Sequence, residues 1–120
     1  MPSERFYLKA RDTEPVLEVA LKNPDGTAHD LTGADAVWLH IRIKGTGTVV
    51  SREMTIDDAL GGVVSYAWAT ADWNALPKPA YPNQAEHRME YEVMAGTSRL
   101  TFPNAGHDYL VITPDIGEAT

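Results

Sequence analysis

The stretch Val37-Trp38-Leu39-His40-Ile41-Arg42-Ile43-Lys44 alternates without a fault. Val37, Leu39, Ile41 and Ile43 fall on one side, and Trp38, His40, Arg42 and Lys44 on the other. A period of two belongs to a β-strand, because successive side chains point to opposite faces of a sheet. The pattern predicts one buried face and one that looks toward water or a partner. The second face joins a large aromatic to three basic or titratable side chains.

Similar signals recur along the chain. Strands are predicted over 6–10, 16–22, 37–44, 49–56, 63–68, 87–95, 98–102 and 109–113. In the second, Leu17, Val19 and Leu21 alternate with Glu18, Ala20 and Lys22. In the fifth, Val64, Tyr66 and Trp68 share a face. In the sixth, Met89, Tyr91 and Val93 point inward, and Arg88, Glu90 and Glu92 outward. Between the strands lie turn formers. Asn23-Pro24-Asp25-Gly26 presets one dihedral with proline and supplies positive φ with glycine. Gly45-Thr46-Gly47, Asp57 to Gly62, Gly96-Thr97 and Pro103 to Gly106 mark further turns. Residues 71–76 suit one short helical turn capped by Thr70 or Asp72. Pro77, Pro79 and Pro82 then exclude regular structure. About 7 to 9 short strands with almost no helical periodicity predict an all-β fold, an antiparallel sandwich or small barrel.

A length of 120 residues makes this one domain, 1–120. The ends, 1–5 and 115–120, are expected to fray. A hydrophobic content of 43% is ordinary for a globular chain. Net charge is −7, which argues against nucleic acid and anionic membranes as partners, since both need clustered cations. There is no cysteine, so disulfides, thiolate metal sites and thiol catalysis are excluded. No apolar run approaches the roughly 20 residues of a spanning helix. The first residues lack a basic-then-apolar leader, so synthesis and folding in the cytosol are expected.

Candidate chemistry is thin. His29, His40, His87 and His107 show no metal-ligand spacing. Asp25 with Asp30, and Asp57 with Asp58, lack the alternating oxygen ligands and closing glutamate of a calcium loop. Asp72 with Glu86, or Glu90 with Glu92, are the available carboxylate pairs for glycoside hydrolysis, without an evident cleft. No G-x-S-x-G elbow occurs. Gly61-Gly62 and Gly45-Thr46-Gly47 are not followed by the helix start of a phosphate cradle. These observations imply no cofactor and no catalysis. Of the aromatics, Trp68 and Trp73 suit packing, while Trp38 beside Arg42 has the composition of an interface hot spot. Trp73 with Tyr81 is the alternative, a stacking platform for a host glycan.

The order of landmarks carries a resemblance. Arg11-Asp12-Thr13 closes a short β-segment, and Asp30-Leu31-Thr32-Gly33 leads into a basic strand. Thr55-Ile56-Asp57, Gly62-Val63-Val64-Ser65-Tyr66, Tyr81, Met89-Glu90-Tyr91-Glu92-Val93, Leu100-Thr101-Phe102-Pro103 and Tyr109-Leu110-Val111-Ile112 follow. Over about residues 6–116 this resembles the immunoglobulin-like N-terminal domain of the baseplate upper proteins of tailed bacteriophages and related virion domains. The resemblance implies an immunoglobulin-like β-sandwich in a virion, docking other phage proteins and itself in a symmetric ring or lattice. A lone domain suits a baseplate or tail accessory, an adaptor or a capsid decoration. The receptor-carrying C-terminal part of that family has no counterpart here. The sequence also has one extra residue before Val37, which a bulge near Asp35 would absorb. Trp38, His40, Arg42 and Lys44 are the expected contact surface.

Overall fold

The structure is a computed structural model that describes residues 4–103 and 108–114. Eight strands form in the expected order: β1 (Arg5–Lys9), β2 (Leu17–Ala20), β3 (Ala36–Arg42), β4 (Val49–Asp58), β5 (Val63–Tyr66), β6 (Ala85–Ala95), β7 (Ser98–Phe102) and β8 (Asp108–Thr113). A 3-10 turn, Thr70–Asn74, replaces the short helical turn expected over 71–76. The turn expected over 103–106 extends outside the described residues, as do His107 and the segments 1–3 and 115–120. Arg5, expected to fray, is held instead. It opens β1, bonds Glu86 at 2.9 Å and lies 5.0 Å from the centre of the Tyr109 ring. No helix among the described residues is long and apolar enough to cross a membrane.

The strands join in one mixed sheet, in the order β1-β8-β6-β3-β4-β5-β2, with β7 on β6. Every pairing is antiparallel except β1 with β8. Two long strands make this path continuous. β4 pairs with β3 through Val49–Met54 and with β5 from Thr55 onward, and a register shift at Asp57 separates the last two pairs. β6 pairs with β3 along one edge, while β8 and β7 lie end to end on the other. The sheet thus curls until it is nearly closed, and its inner face becomes the core. Chain ends of the path, β1 and β2, are not joined to each other.

Inward residues follow the alternation. Val37, Leu39, Ile41, Val64, Leu110 and Ile112 are fully buried. Trp68 is buried against Phe6 and Tyr66, with ring centroids 6.2 and 5.1 Å away. Arg52 breaks the pattern, because it sits opposite Leu39 on the inner side. Its Nε donates to Asp72 Oδ1 at 2.7 Å, and Asp72 Oδ2 accepts the Tyr66 hydroxyl (2.7 Å) and the Ala69 N–H (2.8 Å). Burial alone would raise the Asp72 carboxyl. Those three donors outweigh it and hold the group below its ordinary value of 3.8. Burial and the adjacent carboxylate push Tyr66 up to about 12. This network anchors the 3-10 turn and seats Trp73 in the core.

One glycine is demanded by space as well as conformation. Gly62 has φ +69°, and a Cβ there would meet the carbonyl oxygens of His29 and Leu21 at 2.7 Å. Both are backbone atoms that cannot rotate away. Gly26 has φ +90° but nothing within 4 Å of its Cβ position. Gly62→Ala is therefore expected to cost about 3 kcal/mol or more, and Gly26→Ala only about 1 kcal/mol. Urea unfolding midpoints of the two variants check the difference; equal losses would contradict the close approach.

Candidate interaction face

β3 is hydrogen-bonded on both sides, and neither pairing shows a register shift. Just before β3, the Asp35 N–H donates to Met94 O at 2.7 Å although Met94 is the register partner of Ala36, so two residues oppose one, as the bulge expected near Asp35 requires. With Val37, Leu39 and Ile41 buried, Trp38, His40 and Arg42 point out of the sheet. Trp38 is half-buried between Glu53 of β4 and Glu92 of β6. His40 lies between Ser51 and Glu90, and Arg42 between Val49 and Arg88. Lys44 lies two residues beyond the end of β3 and is exposed. The four residues named from the sequence therefore lie in one outward row, with Lys44 at its loop end.

A line of polar contacts crosses this face. Ser51 Oγ is 2.8 Å from His40 Nδ1, and His40 Nε2 is 2.9 Å from Glu92 Oε1. Glu92 Oε2 in turn accepts from Arg99 Nε at 3.0 Å. His40 and Glu92 are diagonal neighbours, close enough for long side chains to meet. The line ties four strands, β4, β3, β6 and β7, across their outer side. With both ring nitrogens engaged, the imidazole is fixed in one orientation. Hydroxyl, imidazole and carboxylate are also the groups of an acyl-transfer triad, but such a site needs donors converging on an oxyanion in a water-excluding cleft. Here the nearest hollow is a shallow one of about 200 Å³, lined by His40, Arg42, Val49, Arg88 and Glu90. Arg42 and Arg88 are register partners on β3 and β6, and the carboxylate of Glu90 lines the same hollow. Arg42 also donates Nη1 to Gly47 O at 3.1 Å, which keeps it close to its own hairpin turn.

Sequence reasoning did not find Ser51, Glu92 or Arg99 as neighbours of His40. The alternation of residues 89–93 did mark Glu90 and Glu92 as outward-facing. Nothing local marks which residue of another strand stands beside them.

The other candidates resolve into structural roles. Asp25 Oδ1 accepts the Thr27 N–H and hydroxyl, and Asp30 Oδ1 the Thr32 N–H, both turn bonds. Asp58 caps the Gly61 N–H at 3.0 Å. Asp72 is committed to Arg52 and Glu86 to Arg5, so they form no pair. His29 Nδ1 lies 2.9 Å from Asn23 Oδ1. Among the described residues no three His, Asp or Glu side chains group as metal ligands. Trp73 is buried, 5% exposed, and donates Nε1 to Asp12 O at 3.0 Å. It has no free face to stack a sugar, which leaves Tyr81, 69% exposed, alone. No protein-family model matches the chain, and no curated protein matches it either.

His87 is the buried histidine, 2% exposed. Its Nδ1 accepts the Lys44 N–H at 3.0 Å, so the neutral ring carries its proton on Nε2, which has no hydrogen-bond partner among the described residues. Burial, and then the nearby Lys44 charge, lower its pKa below the ordinary 6.5. The unfolded chain therefore takes up a proton at a pH where the folded chain does not. Stability from this group is full above about pH 6.5 and falls as pH drops below it, levelling beneath the folded value. Urea midpoints measured across that range are expected to decline in the native chain and to decline less in His87→Gln. Parallel curves would contradict the assignment.

Proposed function

We propose that this chain is a non-catalytic structural protein of a tailed-phage particle, a baseplate or tail accessory, adaptor or capsid decoration. It acts by docking other virion proteins and copies of itself. The observation that carries this reading is the outward face of β3, where half-buried Trp38 stands beside an ordered row of charged and polar side chains. A half-buried tryptophan on a face that also carries Arg42 and Arg88 has the composition of a hot spot, in which a few anchors supply most of the binding energy. The cross-strand bonds matter for the same reason. Side chains already held by Ser51, Glu92 and Arg99 lose less freedom on association than loose ones.

The reading also draws on the landmark order shared with the phage domains and on the mostly β architecture. A net charge of −7 is consistent with a protein rather than a nucleic-acid partner. Contacts between copies would follow closed cyclic symmetry, the default for homo-oligomers.

The test is the composition of purified phage particles. The native chain is expected in them at a fixed copy number. Trp38→Ala is expected to reduce that occupancy at least tenfold, while urea unfolding of the isolated variant changes by less than about 1 kcal/mol. Absence of the native chain from the particle, or undiminished incorporation of the variant, would overturn the reading.

A further inference from the structure

A second surface lies away from the β3 face, where the curled sheet fails to close. β1 and β2 are the two ends of the strand path. Between them opens a groove of about 540 Å³, within the usual range of ligand pockets. Phe6, Leu17, Val19, Met89, Tyr91 and Phe102 line it, so its floor is largely the inner face of the sheet. Asp108 marks one polar end, where it accepts the Tyr91 hydroxyl at 3.0 Å.

The walls of this groove are unpaired strand edges. In an antiparallel pair, a residue points both its N–H and its C=O to the same side, and successive residues alternate. Leu21 N–H donates to Gly62 O at 2.8 Å, which turns Leu21, Val19 and Leu17 toward β5. Glu18 and Ala20 therefore present their backbone groups to the opposite side, where among the described residues no strand pairs with them. On β1, Tyr109 N–H donates to Glu4 O, and Ala10 N–H to Thr113 O. The even residues thus face β8, and Arg5 and Tyr7 present an edge with which no strand pairs among the described residues. A ligand that uses the apolar floor alone would leave both edges unsatisfied. An extended peptide would satisfy edge and floor together, as in strand addition.

Charge selects the occupant. The groove is lined by the acids Glu4, Glu18 and Asp108, against Lys22 and Arg5. Arg5 is already bonded to Glu86. The remaining excess is acidic, and a second copy of this chain would bring a further −7. We propose that the groove between β1 and β2 accepts a strand from a different protein, apolar at alternate residues and flanked by basic ones.

The probe is a short synthetic peptide of alternating valine and threonine with two lysines at each end, added to the full chain. Amide hydrogen exchange is followed by NMR. In dilute free protein the Glu18 and Ala20 amides are expected to exchange freely while Val19 and Leu21 are protected. With peptide, Glu18 and Ala20 should slow at least tenfold. A glutamate-ended peptide should bind at least tenfold more weakly, and so should a lysine-ended one whose edge-facing amides are N-methylated. Ala20→Pro removes an N–H that the fold does not use, so it should abolish binding and leave Val19 and Leu21 protected. Should that variant not fold, Glu18→Lys, which balances the groove's acids and bases, should remove the preference between the two peptides. Trp38→Ala should bind the peptide normally, which separates this site from the β3 face. Protection of Glu18 and Ala20 in dilute free protein, or protection that rises with protein concentration alone, would overturn the proposal. Equal binding of the N-methylated peptide, or of the glutamate-ended one, would do the same.

Discussion

The phase of β3 is the constraint on which the structure depends. It is the central strand, paired with β4 on one side and β6 on the other, and both pairings fix the same register. Val37, Leu39 and Ile41 are each fully buried. A one-residue slip would expose all three and turn Trp38, His40 and Arg42 inward. Losing three aliphatic burials costs roughly 5–9 kcal/mol, comparable to the whole stability of a small domain, before any charge is desolvated. The core therefore decides what the outer face displays. The candidate interface is a consequence of the packing on its other side.

Polar groups are used differently on the two faces. Inside, Arg52 is tolerated because Asp72 meets it and two further donors complete the carboxylate. Removing Arg52 would strand the Asp72 carboxylate where water reaches poorly. The benefit is positional: a 3-10 turn is held against the sheet and Trp73 is sealed beneath it. Outside, the Ser51–His40–Glu92–Arg99 line is half exposed and adds little to stability. Its effect is order in side chains that would otherwise sample several rotamers.

Much of the fold was legible because strand periodicity is local. The alternation at Leu17, Val19 and Leu21, at Met89, Tyr91 and Val93, and along β3 marked inward and outward sides that the structure keeps. Partners across strands were not legible. His40 and Glu92 are separated by 52 residues, and only the β3–β6 register makes them neighbours. The double pairing of β4 was hidden for the same reason, since its two halves read as one run. The inward place of Arg52 was not legible either, because it depends on Asp72 from a distant turn. Trp73 suited packing from the sequence and is buried, while the sugar alternative stayed open because a loop aromatic gives no local sign of its own burial. The gap between β1 and β2 has no sequence signal at all; it is the absence of a pairing.

The register of β3 turns Trp38, His40 and Arg42 outward, and the proposed docking role requires that a partner cover them in the particle. The chain has no cysteine, so a single thiol introduced by His40→Cys reports that position alone. Its labelling rate in the isolated folded protein and in the purified particle is the most direct measurement. Labelling is expected in isolation, at a rate lowered by the half-buried position of residue 40, with strong further protection in the particle. Complete protection in the isolated protein would place the side chain in the core, and equal labelling in both states would leave the face without a partner; either contradicts the docking role.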